Sequence, residues 1–250
     1  MQSNIMNKNM WFLGLMLLHA AVVNGAETGK HLFILSGQSN MAALNPDESF
    51  TPAVENAFGK DHVIVVKKAW SGCPIRIWCK DWKPAPDWKP ANADEAKIPG
   101  DKQCYWPQLV QAVKEAVNGV ELTTVTFVWM QGESDGLQRL DEVYEESLRK
   151  VIQQLETDLG RKDIQVVIGR ISDFGIVHLK SPSWQAIRDI QVKMAQSNPR
   201  YGYINTDDLN DGVNASGVTV KDDLHYSVEG YRILGERFAG KAIELIRKNE

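Results

Sequence analysis

Leu32-Phe33-Ile34-Leu35-Ser36-Gly37-Gln38-Ser39-Asn40-Met41-Ala42 is the stretch whose reading decides the fold. Its first four residues form a continuous apolar run, the mark of a short strand buried on both faces of a sheet. Gly37 permits a tight backbone path, and Asn40-Met41-Ala42-Ala43 begins a helical turn. A strand that runs directly into a helix presents Ser39 at the C-terminal edge of the sheet, where unpaired backbone N–H groups face it. That position suits a nucleophile, and it suits a structural serine as well. The rest of the chain has to supply a base and an oxyanion hole.

Working outward, four further runs read as strands: Val63–Val66, Val125–Met130, Ile164–Ile168 and Tyr201–Asn205. Val63–Val66 is β-branched throughout and is expected to be buried. Helical spacing appears from Trp106-Pro107 through Leu109, Val110, Val113 and Val117, from about Leu137 to Leu159, from Pro182 to about Gln196, and from Ser227 onward. Residues 44–60 read as turn-rich and polar. Residues 74–106 read as a long loop carrying Trp78, Trp82, Trp88 and Trp106, and residues 206–226 as another loop. Strands alternating with helices imply right-handed crossovers and a parallel sheet covered on both faces. The expected fold is α/β: a three-layer α/β/α sandwich with a five-stranded parallel sheet, flavodoxin-like, in the order 2-1-3-4-5. In such sheets sites lie outside the carboxyl ends of the strands, near the switch point. The loops holding Ser39, Gly72, Gln131 and His225 are therefore expected to meet.

The bulk numbers set limits. The chain has 250 residues, 43% hydrophobic and 24% charged, enough for one α/β domain with a substantial core. The net charge of −4 and the lack of any basic run make nucleic acid an unexpected partner. Residues 1–25 read as a secretory signal: Lys8, the apolar run Met10–Leu18, then Ala20–Val23, with cleavage after Gly25 or Ala26. The run is shorter than the ~20 residues a membrane span needs. The expectation is a single domain over 26–250, secreted or periplasmic, with no membrane attachment after cleavage. Cys73, Cys79 and Cys104 allow one disulfide in an oxidising compartment and leave one thiol over; their spacing does not choose the pair.

A serine hydroxyl needs a base before it can attack, and imidazole is the usual one near neutral pH. Of the five histidines, His19 belongs to the leader, His31 and His62 open strands, and His178 lies in a polar loop. His225 lies in a strand-to-helix loop on the expected active edge. Asp222, three residues earlier, is placed to orient its ring, although Asp222 and Asp223 serve equally well as solvated caps of the last helix. Oxyanion donors are available in the Ser39 and Gly72 backbone N–H groups and the Gln131 side-chain amide. Gly72 reads equally as a turn glycine, and Gln131 and Glu133 as polar strand-end residues. The second glycine of a G-x-S-x-G elbow is missing, and no phosphate loop, dinucleotide fingerprint or metal-ligand spacing appears. No cofactor and no metal are expected.

Three blocks carry a resemblance: Ser36-Gly37-Gln38-Ser39-Asn40-Met41, Gln131-Gly132-Glu133-Ser134-Asp135 and Asp222-Asp223-Leu224-His225. Together they resemble SGNH-type hydrolases, more narrowly the sialate O-acetylesterase-like branch that includes acetylxylan esterases of carbohydrate esterase family six. The resemblance runs from about residue 30 to 245. It implies Ser39 as nucleophile, His225 as base and Asp222 as the residue orienting it. It also implies an oxyanion hole at the Ser39 and Gly72 N–H groups, with Gln131 replacing the asparagine that names the superfamily, where this chain has Ser134. In parts of the branch the glutamate of the second block completes the triad. Glu133 is thus the second choice beside Asp222, which the D-x-x-H spacing favours. The implied activity is an exported serine esterase removing O-acetyl groups from a carbohydrate through an acyl-enzyme. The rivals are a carbohydrate-binding protein that stacks sugars on Trp70, Trp78, Trp82, Trp88 or Trp106, and a lipase or thioesterase of the same superfamily. Nothing in the sequence selects the sugar.

Overall fold

The computed structural model describes residues 29–89 and 105–249. The leader with its cleavage site, Cys104 and part of the tryptophan-rich loop lie outside them. The sheet strands in chain order are β1 (Lys30–Gly37), β2 (Val63–Ala69), β3 (Leu122–Met130), β4 (Gln165–Gly169) and β5 (Tyr201–Ile204). All pairs are parallel and the order is β2-β1-β3-β4-β5, as the alternation of strands and helices predicts. β1 is an interior strand between β2 and β3, and His31 to Gly37 are all buried. That is why its sequence is continuously apolar rather than alternating.

The helices are α1 (Ser39–Ala43), α2 (Phe50–Phe58), α3 (Trp106–Ala116), α4 (Glu133–Leu137), α5 (Asp141–Leu159), α6 (Phe174–Val177), α7 (Pro182–Gln196) and α8 (Val228–Asn249). α2 and α8 pack together on one face of the sheet; α3, α5 and α7 cover the other. The chain changes direction across the sheet between β1 and β3. The loops after those two strands open the crevice where the site is expected.

Four expectations need correction. Residues 44–60 are not all turn: Phe50–Phe58 is helical, with Phe50 and Val54 buried. The apolar spacing Phe50, Ala53, Val54, Ala57 was hidden by flanking turn residues and by Pro52, which a helix tolerates in its first turn. β2 is an edge strand with Val66 alone buried, because the strand order gives it one neighbour; Lys67 and Lys68 suit such an edge. The helix expected from about Leu137 starts at Asp141, and the short helix α4 ends at Leu137; Arg139, with a left-handed φ of 56°, separates the two. The loop 206–226 contains an antiparallel hairpin of β6 (Gly212–Val213) and β7 (Thr219–Val220). Its turn is held by Asn214 Oδ1, which accepts from the Ser216 and Val218 N–H groups at 3.0 Å each.

Candidate active site

Gly37 ends β1 with φ +145°, a conformation L side chains rarely adopt, and a Cβ there would overlap the Met130 carbonyl. The glycine brings the ends of β1 and β3 into contact, and the Gln38 N–H then donates to Met130 O at 2.9 Å. Ser39 follows as the first residue of α1, partly exposed, and its hydroxyl has no hydrogen-bond partner among the described residues. From β2, Lys67 Nζ donates to the Ala42 and Leu44 carbonyls at 2.9 and 2.5 Å. A cation on the last carbonyls of so short a helix supplies the cap its sequence lacks.

The three sequence blocks meet at two buried amides. Asn40 Nδ2 donates to Glu133 Oε1 at 2.8 Å and to the Leu224 carbonyl at 3.3 Å, while its Oδ1 accepts from the Tyr231 hydroxyl at 2.9 Å. Gln38 Oε1 accepts from Gln131 Nε2 at 3.2 Å, Ser134 N at 3.1 Å and Gly132 N at 3.5 Å. The loop after β2 joins them. Trp70 N donates to Gly37 O at 3.0 Å, Gln131 Nε2 to Cys73 O at 3.3 Å, and Ile75 N to Asp135 Oδ2 at 2.9 Å. The loops that carry Ser39, Gly72, Gln131 and Glu133 and the segment before His225 thus meet along one edge at the switch point.

Within that edge the candidates differ. His225 is exposed, its backbone N–H donates to Asp223 Oδ1 at 3.4 Å, and its ring has no hydrogen-bond partner among the described residues. Asp222 is half-buried with a left-handed φ of 48°, and its N–H donates to Asp211 Oδ1 at 2.7 Å. Glu133 is buried on Asn40 instead. Among the described residues neither carboxylate bonds the imidazole, and no chain from Ser39 through His225 to a carboxylate is closed. Catalytic hydrogen bonds of unliganded enzymes often tighten only when substrate is bound. Gly72 is exposed in a left-handed turn with φ +71°. Gln131 departs from its expected place. It is fully buried, and its amide hydrogens are already directed at Gln38 Oε1, Cys73 O and Asp135 Oδ2. In this structure it ties the Gly72 loop to the end of β3.

Burial sets the electrostatics. Glu133 and Asp135 are both fully buried, and loss of water pushes both carboxyls up. Asp135 reaches about 7 despite the opposing hydrogen bonds from Gln131 and Ile75 and the nearby Arg76 guanidinium. Burial raises the Tyr231 phenol to about 12, so it is a hydrogen donor to Asn40 at any working pH. Asn40, Asp135 and Tyr231 were missed as site residues. Asn40 and Asp135 sit inside the quoted blocks, where a buried structural role leaves no mark. Tyr231 carries no local signal, because its partner is 191 positions away.

A five-stranded parallel sheet in this order, with a serine just beyond the first strand and a histidine before the last helix, is the arrangement expected of an SGNH-type hydrolase. Residues 43–244 match the family model described as carbohydrate esterase, sialic acid-specific acetylesterase, and the chain belongs to that family. The matched region starts just after the Ser39 block. No curated protein matches the chain in sequence. Among solved structures, a protein from Arabidopsis thaliana has 18% identity and TM-score 0.62, covering 86% of this chain and 98% of its own. NanS has 12% identity and TM-score 0.60, with 88% and 98% covered. A carbohydrate acetylesterase from Xanthomonas citri has 16% identity and TM-score 0.56, with 88% and 57% covered. At these identities the likeness shows the fold. No helix of the described residues is long and apolar enough to cross a membrane.

Proposed function

We propose that the chain is an exported esterase that removes O-acetyl groups from a carbohydrate through an acetyl-serine intermediate. The observation that carries the reading is the Asn40 side chain. Its three hydrogen bonds, to Glu133, the Leu224 carbonyl and Tyr231, join the neighbour of Ser39 to the neighbour of His225 at the switch point. In this reading His225 takes the Ser39 proton as Oγ attacks the acetyl carbonyl carbon. The negative charge that develops on the acetyl oxygen is met by the Ser39 and Gly72 backbone N–H groups. Gln131 holds the Gly72 loop, and its amide joins the hole only by leaving Cys73 or Asp135. Collapse breaks the bond to the sugar oxygen, which departs with the proton from His225. Water, deprotonated by the same ring, then attacks the acetyl carbon, releasing acetate and returning the proton to Ser39.

Asp222 is the residue assigned to orient His225, since it is half-buried in the same loop, three positions away. Glu133, committed to Asn40, is the second choice. Export rests on the leader-like residues 1–25, and the domain on 26–250. Acetylated xylan and sialic acid are the substrate types that family membership and resemblance suggest. The test is acetate release from acetylated xylan, O-acetyl sialic acid and acetylated pectin. Wild type is expected to turn over at least one of them. Ser39→Ala and His225→Ala, with circular dichroism unchanged, are each expected to be slower by about a thousandfold or more. A Ser39→Ala rate equal to wild type contradicts the mechanism.

A further inference from the structure

Seven tryptophans lie among the described residues, and six donate the indole N–H to a protein acceptor. Trp78 donates to Ser36 Oγ, Trp82 to Ser147 Oγ, Trp88 to Gln138 O, Trp106 to Asp158 Oδ2, Trp129 to Tyr144 OH and Trp184 to Ser172 O. Trp70 is the exception: among the described residues its N–H has no acceptor, and the side chain is partly buried against the core. A tryptophan that leaves water normally pairs this group. Trp70 keeps its polar edge available.

The ring is nevertheless fixed. It stacks flat on Tyr105, with centroids 4.3 Å apart and planes 6° apart, and the fully buried Trp78 meets it edge-on at 6.0 Å. The backbone places the pair beside the chemistry, since Trp70 N bonds Gly37 O two residues before Ser39, and Gly72 lies two residues beyond Trp70. Trp82 and Trp88 are differently employed, with the Arg76 guanidinium over their rings at 5.7 and 6.0 Å.

We propose that the Trp70–Tyr105 pair is the platform for the sugar ring that bears the acetyl group. The C–H face of a pyranose is apolar and its rim is hydroxylated. A rigid aromatic plane with one unpaired N–H matches both features, and it loses little conformational entropy on binding. The pyranose lies on the indole, and the Trp70 N–H donates to a ring hydroxyl. Substrate choice is thereby set next to the oxyanion loop, and a saccharide acetate is favoured over an alkyl acetate of equal reactivity.

This inference rests on the carbohydrate reading above, and the experiment separates the two. Released acetate is measured from an acetylated xylo-oligosaccharide, O-acetyl sialic acid, acetylated pectin and ethyl acetate. The readout for each variant is the ratio of kcat/KM on the best glycan to kcat/KM on ethyl acetate, so that any partial loss of folded protein cancels. In Trp70→Ala the ratio is expected to fall about tenfold or more, through KM for the glycan. Trp70→Phe keeps a stacking ring but loses the N–H, and should fall in between. A ratio within twofold of wild type in both variants overturns the platform and leaves the deacetylase reading standing. A wild-type protein that cleaves ethyl acetate but none of the glycans overturns both.

Discussion

Asn40 shows how one buried side chain ties distant segments together. An amide has two donors and an acceptor, and Asn40 uses all three across three separate parts of the chain. Asp135 does the same from the opposite side, with one oxygen accepting from Ile75 N and Gln131 Nε2, while its other oxygen is buried without a partner among the described residues. Its carboxyl, raised from 3.8 to about 7, keeps its proton in the folded protein where the unfolded chain has lost it. That contribution to stability is complete below about pH 3.8 and is lost as pH rises through about 7, at no more than about 1.4 kcal/mol per pH unit. Asp135→Asn preserves the accepting oxygen and removes the titration. Urea unfolding between pH 4 and 8 should show a shallower decline in the variant than in wild type. Equal slopes would mean that the Asp135 carboxyl does not titrate abnormally.

At the scale of elements, the turn from β1 into α1 depends on Gly37. Alanine there meets both an unfavourable φ and the Met130 carbonyl. Gly37→Ala is expected to lower stability by about 2–3 kcal/mol or more in chemical denaturation. A loss below about 0.5 kcal/mol would mean that the two strand ends part without cost. The elements legible in sequence were those with one dominant signal, such as the apolar run of β1 and the 3.6-residue spacing of α7. Those missed had competing signals. α2 carries an internal proline, β2 has the composition of a buried strand at a sheet edge, and Arg139 takes a backbone conformation that its side chain does not announce. Local composition cannot report how many neighbours a strand will have.

For the whole molecule, the strand order was readable because each crossover between parallel strands has one favoured hand, and the order then dictates where loops converge. Ser39, Gly72, Gln131, Glu133 and the His225 segment were accordingly legible as one edge. The orientation of side chains within that edge was not. Gln131 turns inward because Gln38, Cys73 and Asp135 offer acceptors from three distant segments, and Glu133 is claimed by Asn40. The central claim remains that Ser39 is the nucleophile of this carbohydrate-esterase family member. Reaction with an alkyl fluorophosphonate, followed by peptide mapping by mass spectrometry, tests it most directly. One adduct per chain is expected, on Ser39, with acetate release lost in proportion to labelling. Full turnover in phosphonylated protein, or inactivation with the adduct on another residue, would contradict it.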